Sequence, residues 1–283
     1  MIEIGSLRLD LISDGHFEDD ADTFVRRCTE EHTPPHVKVR AKGRIRVGFN
    51  SLLMRGQGRT IVVDPGTGDK PRPELADSYR LEWPRRFLPT LAEMDVRRED
   101  VDTVILTHLH WDHAGACTGT DETGHVVPTF PNARYVVQSK EVEAARRDIA
   151  SGDLRSYMPD DFEPLITAGK LDLMEGDGEV HPGISVRWVD GHCAGLQIVL
   201  IGDGKQPGAV YLSDLIPTTA QVPLDCYLSY DLNVERLSAE KERILDEAAT
   251  RHDLLMFVHA PRLRAGYLVR HSGGGYGVDA REV

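Results

Sequence analysis

The stretch Thr107-His108-Leu109-His110-Trp111-Asp112-His113 decides how this sequence is interpreted. It follows the apolar, β-branched run 102–106, which predicts a buried β-strand. On an extended backbone, side chains two residues apart point the same way, so His108 and His110 can hold one ion. Where the chain then turns, Asp112 and His113 face another side and can hold a second ion. Imidazole and carboxylate groups suit zinc, and also iron or manganese.

Chance clustering of surface histidines is a poor alternative. In a chain with 12 histidines among 283 residues, this pattern should arise by chance on the order of once in a thousand such chains. Four ligands do not complete two metal sites, so further ligands are expected at strand ends downstream. The candidates are His192 after Gly191, Asp214 at the end of an apolar run, and His259 at the end of another. Each alone could be an ordinary loop residue, but together they complete the ligand count.

Outward from the motif, short apolar runs and amphipathic helical patterns succeed one another along the chain. The predicted strands are 7–13, 45–55, 60–64, 101–107, 171–174, 184–189, 196–201, 209–213 and 254–258. The predicted helices are 87–94, a helix that begins after Ser139, and 234–250. Strands followed by helices occur twice, which predicts two packed β-sheets with helices outside them. We expect residues 1–283 to form one α/β domain.

Two segments depart from this order. Residues 15–48 contain His16, His32, His36 and a Pro34-Pro35 pair, and we expect a loop excursion there, over the active site. Within it, basic residues alternate from Lys38 to Arg46, a pattern that favours the solvated face of a strand over a binding patch. Residues 262–283 are basic and then glycine-rich, so a mobile tail is expected.

Composition narrows the classes of function. The net charge is −13, from 33 Lys and Arg against 46 Asp and Glu. Such a surface repels polyphosphate and argues against a nucleic-acid partner. No apolar run approaches the 18 or so residues that span a bilayer, so no membrane partner is expected. The N-terminus lacks a basic start and an apolar core, which predicts a cytoplasmic protein.

The sequence resembles the metallo-β-lactamase-fold hydrolase superfamily, in its lactonase-like branch. The resemblance covers nearly the whole chain, and its pieces occur in the family's order. They are Val63-Asp64-Pro65-Gly66, the 107–113 motif, Gly191-His192, Ser213-Asp214 and Val258-His259, with 128–135 and Tyr230-Asp231-Leu232 similar to the lactonase-like branch. The resemblance implies a four-layer αββα sandwich with the metals at one edge of its two sheets.

The resemblance also implies a ligand set for two divalent metal ions, with zinc preferred and iron or manganese as alternatives. The first ion would take His108, His110 and His192, the second would take Asp112, His113 and His259, and Asp214 would bridge them. Asp64 would brace the site without binding metal. Asp112 would be the catalytic residue, orienting a hydroxide and carrying a proton to the leaving group. Asp190 is a candidate hydrogen-bond partner of His192, or simply a polar strand end.

Three positions depart from the family pattern. Leu196 replaces a second histidine and should lie outside the ligand set, where it changes a wall of the site. Cys193 replaces a threonine or serine, and a small buried filler is the favoured interpretation over a reactive thiol. Acyl-homoserine lactonases of this fold carry a tyrosine soon after the bridging aspartate, whereas residues 215–219 here contain none. That absence weakens the argument for that particular substrate.

The expected activity is hydrolysis of a small-molecule ester or lactone by two metal ions and a hydroxide that bridges them. Alternatives on the same site are glyoxalase-II-like thioester hydrolysis and phosphotriester hydrolysis. A metal-free homologue used as a binding module is the alternative from another class. The oligomeric state is left open, with a homodimer as one option.

Overall fold

The computed structural model describes residues 2–26, 43–270 and 275–281. Its strands are β1 Ile2–Ile4, β2 Leu7–Asp20, β3 Arg44–Gly56, β4 Arg59–Val63, β5 Thr103–Ile105, β6 Thr118–Thr120, β7 Val126–Pro128, β8 Arg134–Gln138, β9 Leu171–Met174, β10 Gly178–His181, β11 Ile184–Trp188, β12 Gln197–Ile201, β13 Ala209–Tyr211, β14 Leu254–Met256, β15 Ala265–Arg270 and β16 Tyr276–Arg281. Its α-helices are α1 Ala21–Phe24, α2 Pro73–Tyr79, α3 Phe87–Glu93, α4 Trp111–Ala114, α5 Ser139–Ala150, α6 Pro159–Thr167 and α7 Val234–Arg251.

Fourteen of the described strands form two seven-stranded sheets, one from each half of the chain, and β6 and β7 form a separate two-stranded sheet. The N-terminal sheet has the order β1-β2-β3-β4-β5-β8-β9, and the C-terminal sheet runs from β10 to β16 in sequence order. In the first sheet β4, β5 and β8 run parallel, and in the second β13 and β14 do. Neighbouring parallel strands end at the same edge of a sheet. The residues that follow β4, β5, β13 and β14 are therefore brought to common edges.

Side-chain alternation along the strands produces four layers. Ile61 and Val63 of β4 pack between the two sheets, whereas Val62 packs on the opposite face with helices α3, α5 and α6. On the outer face of the C-terminal sheet, Leu237 and Leu245 of α7 pack with its strands. Successive side chains of β4 thus point to opposite faces of the sheet, as expected of a strand that is buried on both faces. The predicted αββα sandwich is confirmed.

The expectation of a loop over 15–48 is wrong for the described residues 15–26 and 43–48, most of which lie in β2, α1 and β3. Strand β2 continues to Asp20 and pairs with β3 from His16↔Gly48 to Asp20↔Arg44. This part of the chain forms a strand because apolar and charged side chains alternate along it. Ile45 and Val47 are buried, whereas Arg46 between them is exposed. The residues that lie outside the described part are 27–42, which include His32, His36, Lys38, Arg40 and Lys42.

The expected mobile tail over 262–283 is also wrong for most of its length. Strands β15 and β16 form an antiparallel hairpin at the edge of the C-terminal sheet, with pairs from Ala265↔Arg281 to Arg270↔Tyr276. The Tyr276 ring packs against the apolar cluster under α7, and its hydroxyl donates to Asp246 Oδ1 at 2.5 Å. Packing of this ring outweighs the glycine-rich composition. Residues 271–274, 282 and 283 lie outside the described part.

Among the described residues, no helix is both long and apolar enough to cross a bilayer.

Candidate metal centre

The N-terminal sheet contributes one contiguous group of side chains. The motif begins shortly after β5 ends at Ile105, and helix α4 begins within it, at Trp111. The rings of His108 and His110 lie 4.4 Å apart, measured between centroids. The turn into α4 then carries Asp112 and His113 off the line of the strand. The local geometry is the one that the spacing of the motif predicts.

The C-terminal sheet contributes three side chains from three separate strand ends. His192 follows β11, Asp214 follows β13, and His259 follows β14. All three are buried. Because β13 and β14 are parallel neighbours, Asp214 and His259 leave the sheet at the same edge. The two sheets therefore meet at a single cluster of imidazole and carboxylate groups.

The Asp214 carboxylate faces two sets of ligands. Its Oδ1 lies 3.5 Å from His113 Nε2 and 3.2 Å from His259 Nε2. Its Oδ2 lies 3.3 Å from His192 Nε2. Asp112 Oδ2 lies 3.4 Å from His259 Nε2, so Asp112 belongs with His113 and His259. The groups with ligand atoms within 4.8 Å of one another are His108, His110, His192; His108, His113, Asp214; and Asp112, His113, His259.

Three of the imidazoles are held by hydrogen bonds on the ring nitrogen that faces away from the cluster. His113 Nδ1 donates to Asp64 Oδ2 at 2.9 Å. His259 Nδ1 donates to the carbonyl oxygen of Gly48 at 2.8 Å. His192 Nδ1 donates to Asp231 Oδ1 at 2.7 Å. When these rings are neutral, Nδ1 carries the proton and Nε2 presents a lone pair to the cluster, as in metal-binding histidines.

Several polar atoms inside the cluster have no hydrogen-bond partner among the described residues. These atoms are His108 Nε2, His113 Nε2 and Asp214 Oδ1. Buried polar atoms are normally paired, and leaving one unpaired is costly. Divalent metal ions would satisfy all three atoms at once. The donor set of imidazole nitrogens and carboxylate oxygens therefore fits such ions.

The electrostatics of the cluster also suit metal binding. Burial, together with neighbouring His113 and His110, holds the pKa of His108 well below its usual value, so its ring is neutral. For Asp214, burial alone would raise the pKa, but His259, His113 and His192 outweigh burial and hold the pKa well below its usual value. Burial alone would lower the pKa values of His113, His192 and His259, but nearby carboxylates raise them. Because neutral imidazole is the form that binds metals, metal ions compete with protons at these three rings.

Comparison with known proteins gives the family. The model of the metallo-beta-lactamase superfamily matches residues 46–250. The chain belongs to this superfamily. It is 33% identical over 234 residues to the N-acyl homoserine lactonase AiiB of Rhizobium rhizogenes, a match that covers 76% of this chain and 75% of that protein.

Solved structures show the same fold over the full chain. A probable metal-dependent hydrolase from Staphylococcus aureus superposes with a TM-score of 0.86 at 23% identity, covering 100% of this chain and 99% of that one. The dizinc quorum-quenching lactonase AidC, solved with its product N-hexanoyl-L-homoserine, has a TM-score of 0.77 at 20% identity, covering 100% and 97%.

In this member of the superfamily, the partner of His192 is not the residue that the sequence suggested. Asp231 Oδ1 accepts from His192 Nδ1 at 2.7 Å, and Asp231 Oδ2 accepts from the backbone N–H of Leu228 at 2.7 Å. Asp190 instead pairs with Arg236, near the start of α7. The suggestion of Asp190 is therefore wrong. The family-like segment Tyr230-Asp231-Leu232 was the available signal for Asp231, but nothing in the sequence joined it to His192.

Asp64 occupies the bracing position that the family resemblance implies. Besides His113, it accepts from the backbone N–H of Thr107 at 2.8 Å and from the Thr107 hydroxyl at 2.6 Å. Its backbone φ is 46°, and that of Ser213, directly before Asp214, is 48°. Non-glycine residues rarely adopt this conformation, and such strain concentrates at functional sites. Both strained residues thus adjoin groups of the metal cluster.

Cys193 and Leu196 have separate surroundings. Burial raises the pKa of the Cys193 thiol well above its usual value, so the thiol is protonated and inert, as expected of a buried filler. Leu196 is buried in the apolar cluster with Val189 and Ile198 beneath α7. It does not line the metal-site cavity, so the expectation that it changes a wall of that cavity is wrong.

A cavity of about 300 Å³ opens onto the cluster beside His110, Asp112, His192 and Asp214. Aromatic rings form much of its wall, and further carboxylates, one arginine and the side chains of Ser156, Cys193 and Leu232 also line it. The aromatic residues are Phe17, Tyr79, Trp111, Tyr157 and Tyr230; the charged ones are Asp19, Asp148, Asp153 and Arg155.

Proposed function

We propose that this metal-dependent hydrolase binds two divalent metal ions and hydrolyses a small-molecule ester, with a lactone as the favoured substrate. The observation that carries the proposal is the placement of Asp214 between two sets of imidazoles, with one carboxylate oxygen facing each set. A carboxylate with one oxygen facing each of two ligand sets is placed to bridge two ions, a role that a one-metal site does not use. Zinc suits the nitrogen and oxygen donors, with iron and manganese as alternatives.

Each ion would have its own ligands. His108, His110 and His192 would hold the first ion, Asp112, His113 and His259 would hold the second, and Asp214 would bridge them. When bound, the ions supply an activated water nucleophile and polarise the substrate carbonyl. The protein determines where these ions lie, through the hydrogen bonds of Asp64, Asp231 and the Gly48 carbonyl to the imidazoles.

Asp112 is the residue we assign to proton movement. It lines the cavity, and 13% of its side chain is exposed there, whereas Asp214 is 4% exposed. A carboxylate at this boundary can accept a proton from the attacking water and give it to the leaving alkoxide. Asp112 would also orient the water, because its Oδ2 lies 3.4 Å from His259 Nε2, beside the proposed ligands of the second ion.

The size and charge of the cavity support a small substrate. A volume of about 300 Å³ is at the lower end for small-molecule sites. The net charge of −13 disfavours wide contact with nucleic acid. A lactone is favoured over other esters because the relative that matches three quarters of the chain is an N-acyl homoserine lactonase.

Elemental analysis together with a substrate panel of lactones, aryl esters, thioesters and phosphotriesters tests the proposal. We expect close to two metal ions per chain and the fastest turnover with a lactone. Asp112→Asn should lower kcat by about 100-fold or more, since general acid–base groups typically contribute that much. Asp148→Asn, a change on the cavity wall outside the ligand set, is the matched control. Fewer than half a metal per chain after reconstitution, or preferred turnover of another substrate class, would contradict the proposal.

A further inference from the structure

We propose that Glu141 is a positioning residue for the first of the two proposed metal ions. It holds the ligands of that ion in place, so the affinity for the first ion depends on Glu141 and the affinity for the second does not. Among the described residues, none of the groups that could hold a metal includes Glu141. The inference rests on the proposed two-ion hydrolase and names a residue, outside both ligand sets, on which one ion depends.

The Glu141 carboxylate lies between two segments that carry ligands of the first ion. The residue is buried in the first turn of α5. Its Oε1 accepts from the backbone N–H of Leu109 at 3.1 Å, and Leu109 separates the first two histidines of the motif. Its Oε2 accepts from the backbone N–H of Gly195 at 2.9 Å, three residues after His192. One carboxylate therefore joins the motif of the N-terminal sheet to the loop that follows β11.

Tyr157 adds a third contact on the same side of the cluster. Its hydroxyl donates to Glu141 Oε1 at 3.0 Å, and its ring lies 4.9 Å from the His110 ring, measured between centroids. Burial and the nearby Glu141 carboxylate raise the pKa of Tyr157, so the hydroxyl stays protonated and remains a donor. Glu141 thus holds the ring that packs against His110 as well as the backbone on either side of the first ion.

The chain allows α5 to approach this loop unusually closely. A Cβ atom on Gly195 would lie 2.5 Å from the backbone nitrogen of Glu141 and would also collide with its Cβ. Only glycine lets two backbones come so near. The hydrogen bond from Gly195 to Glu141 is therefore part of a tightly packed contact, and a shift of Glu141 would be felt directly in the His192 loop.

The ligands of the second ion are held by other groups. His113 bonds to Asp64, and His259 bonds to the Gly48 carbonyl. The backbone hydrogen bonds of Glu141 go to the segments that carry the first ligand set. Weakening them should loosen one side of the cluster and leave the other side in place.

Chelator titration of the zinc-loaded protein tests the proposal. Glu141→Gln keeps the size of the side chain but replaces one acceptor oxygen with an NH2 group, which must face the N–H of either Leu109 or Gly195. We expect the affinity for one of the two ions to fall by about 10- to 100-fold, the usual effect of changing a group that supports metal ligands, and the other to stay within about threefold. Tyr157→Phe keeps the ring and both backbone bonds of Glu141, so as the matched control it should leave both affinities within about threefold.

Double variants show which ion is affected. His259→Ala removes a ligand of the second ion, so the first ion remains, and His110→Ala does the reverse. Adding Glu141→Gln to His259→Ala should weaken the remaining ion by the same 10- to 100-fold, whereas adding it to His110→Ala should change the remaining ion by less than about threefold. A general loss of folding would weaken the remaining ion in both backgrounds. Glu141→Asp keeps both acceptor oxygens but is one methylene shorter, and it provides the same comparison if Glu141→Gln does not fold.

The results separate a wrong residue from a wrong site. If the Glu141 variants weaken both ions alike, weaken neither, or weaken the ion that remains in His110→Ala, the assignment of Glu141 is wrong and the two-ion hydrolase stands. If wild type itself retains fewer than two ions after reconstitution with zinc, the proposed two-ion site is wrong, and the inference is overturned with it.

Discussion

The two sheets supply the metal cluster in different ways. The N-terminal sheet provides four side chains from a single stretch, His108 to His113, at the end of β5. The C-terminal sheet provides His192, Asp214 and His259 from three strand ends far apart in sequence. Positions within the first group follow the local backbone path, which Asp64 holds through Thr107 and His113. Positions within the second depend on the pairing of β13 with β14 and on how the connecting loops are held.

This difference shows where the site is vulnerable. In the N-terminal half, Asp64 accepts from both Thr107 and His113, so one carboxylate supports the whole stretch. In the C-terminal half, the two histidines have separate supports: Asp231 for His192 and the Gly48 carbonyl for His259. Substitutions in the C-terminal half should therefore have graded effects that depend on which support they remove.

The largest effect is expected at Asp214. Asp214→Ala removes a carboxylate that faces both ligand sets, so metal content should fall from about two ions per chain to less than half an ion. His259→Ala removes a ligand of one set and should leave about one ion. Elemental analysis of both variants after the same reconstitution measures the contrast. Equal metal loss in the two variants would contradict the bridging role.

The next effect in size concerns the support of His192. Asp231→Asn leaves every proposed ligand in place but weakens the hydrogen bond that fixes the ring, so metal affinity or activity should fall by about 10- to 100-fold. Asp190→Asn is the matched control, because Asp190 pairs with Arg236 and not with His192. Competition with a chelator, monitored by metal release, measures affinity directly. A larger loss in Asp190→Asn than in Asp231→Asn would reverse our assignment.

These two halves also differ in how far the sequence predicts them. All seven proposed ligands, Asp64 and the two-sheet sandwich follow from local patterns and from family resemblance, but strands such as β8 and helices such as α6 were not predicted. The 15–48 segment was misjudged because its histidines and prolines were given more weight than the alternation up to Arg46, which belongs to β3 and pairs with the end of β2. The tail was misjudged because the packing of Tyr276 against α7 is a long-range contact.

The missed residues share one physical cause. Asp231 reaches His192 across 39 positions of sequence, and Asp19 reaches the cavity only because β2 extends to residue 20. The sequence around an aspartate does not reveal which distant residue its carboxylate will contact. Short motifs therefore predict ligands, whereas supports and cavity walls depend on tertiary packing.

A smaller effect is expected beneath the loop that carries Asp231. Lys241 of α7 is wholly buried, and its ammonium donates to the carbonyls of Pro223 and Cys226 at 2.6 and 2.7 Å. Burial lowers the pKa of Lys241 from 10.5 to about 7, although Asp231 and Asp225 oppose this shift. A neutral amine still has two N–H groups, enough for both carbonyls.

The sign of the pH dependence follows from these pKa values. Above pH 7 the unfolded chain holds a proton on Lys241 that the folded chain has lost, so stability rises with pH until about 10. The stability of wild type relative to Lys241→Met should therefore increase by about 2 kcal/mol between pH 7 and pH 9. Urea unfolding of both proteins at equal metal loading measures this difference. A difference that falls over this range would contradict the lowered pKa.

The smallest effect is expected at Arg46, in the part of the basic alternation that the structure describes. Its NH2 group lies 3.2 Å from Glu82 Oε2 and 2.9 Å from His16 Nδ1. These three residues line a separate cavity of about 590 Å³, and none lines the metal-site cavity. Partly exposed ion pairs of this kind contribute about 0 to 1 kcal/mol. Arg46→Gln should thus change kcat/KM by less than about twofold for anionic and neutral esters alike, whereas a large rise in KM confined to the anionic ester would place Arg46 at the active-site mouth.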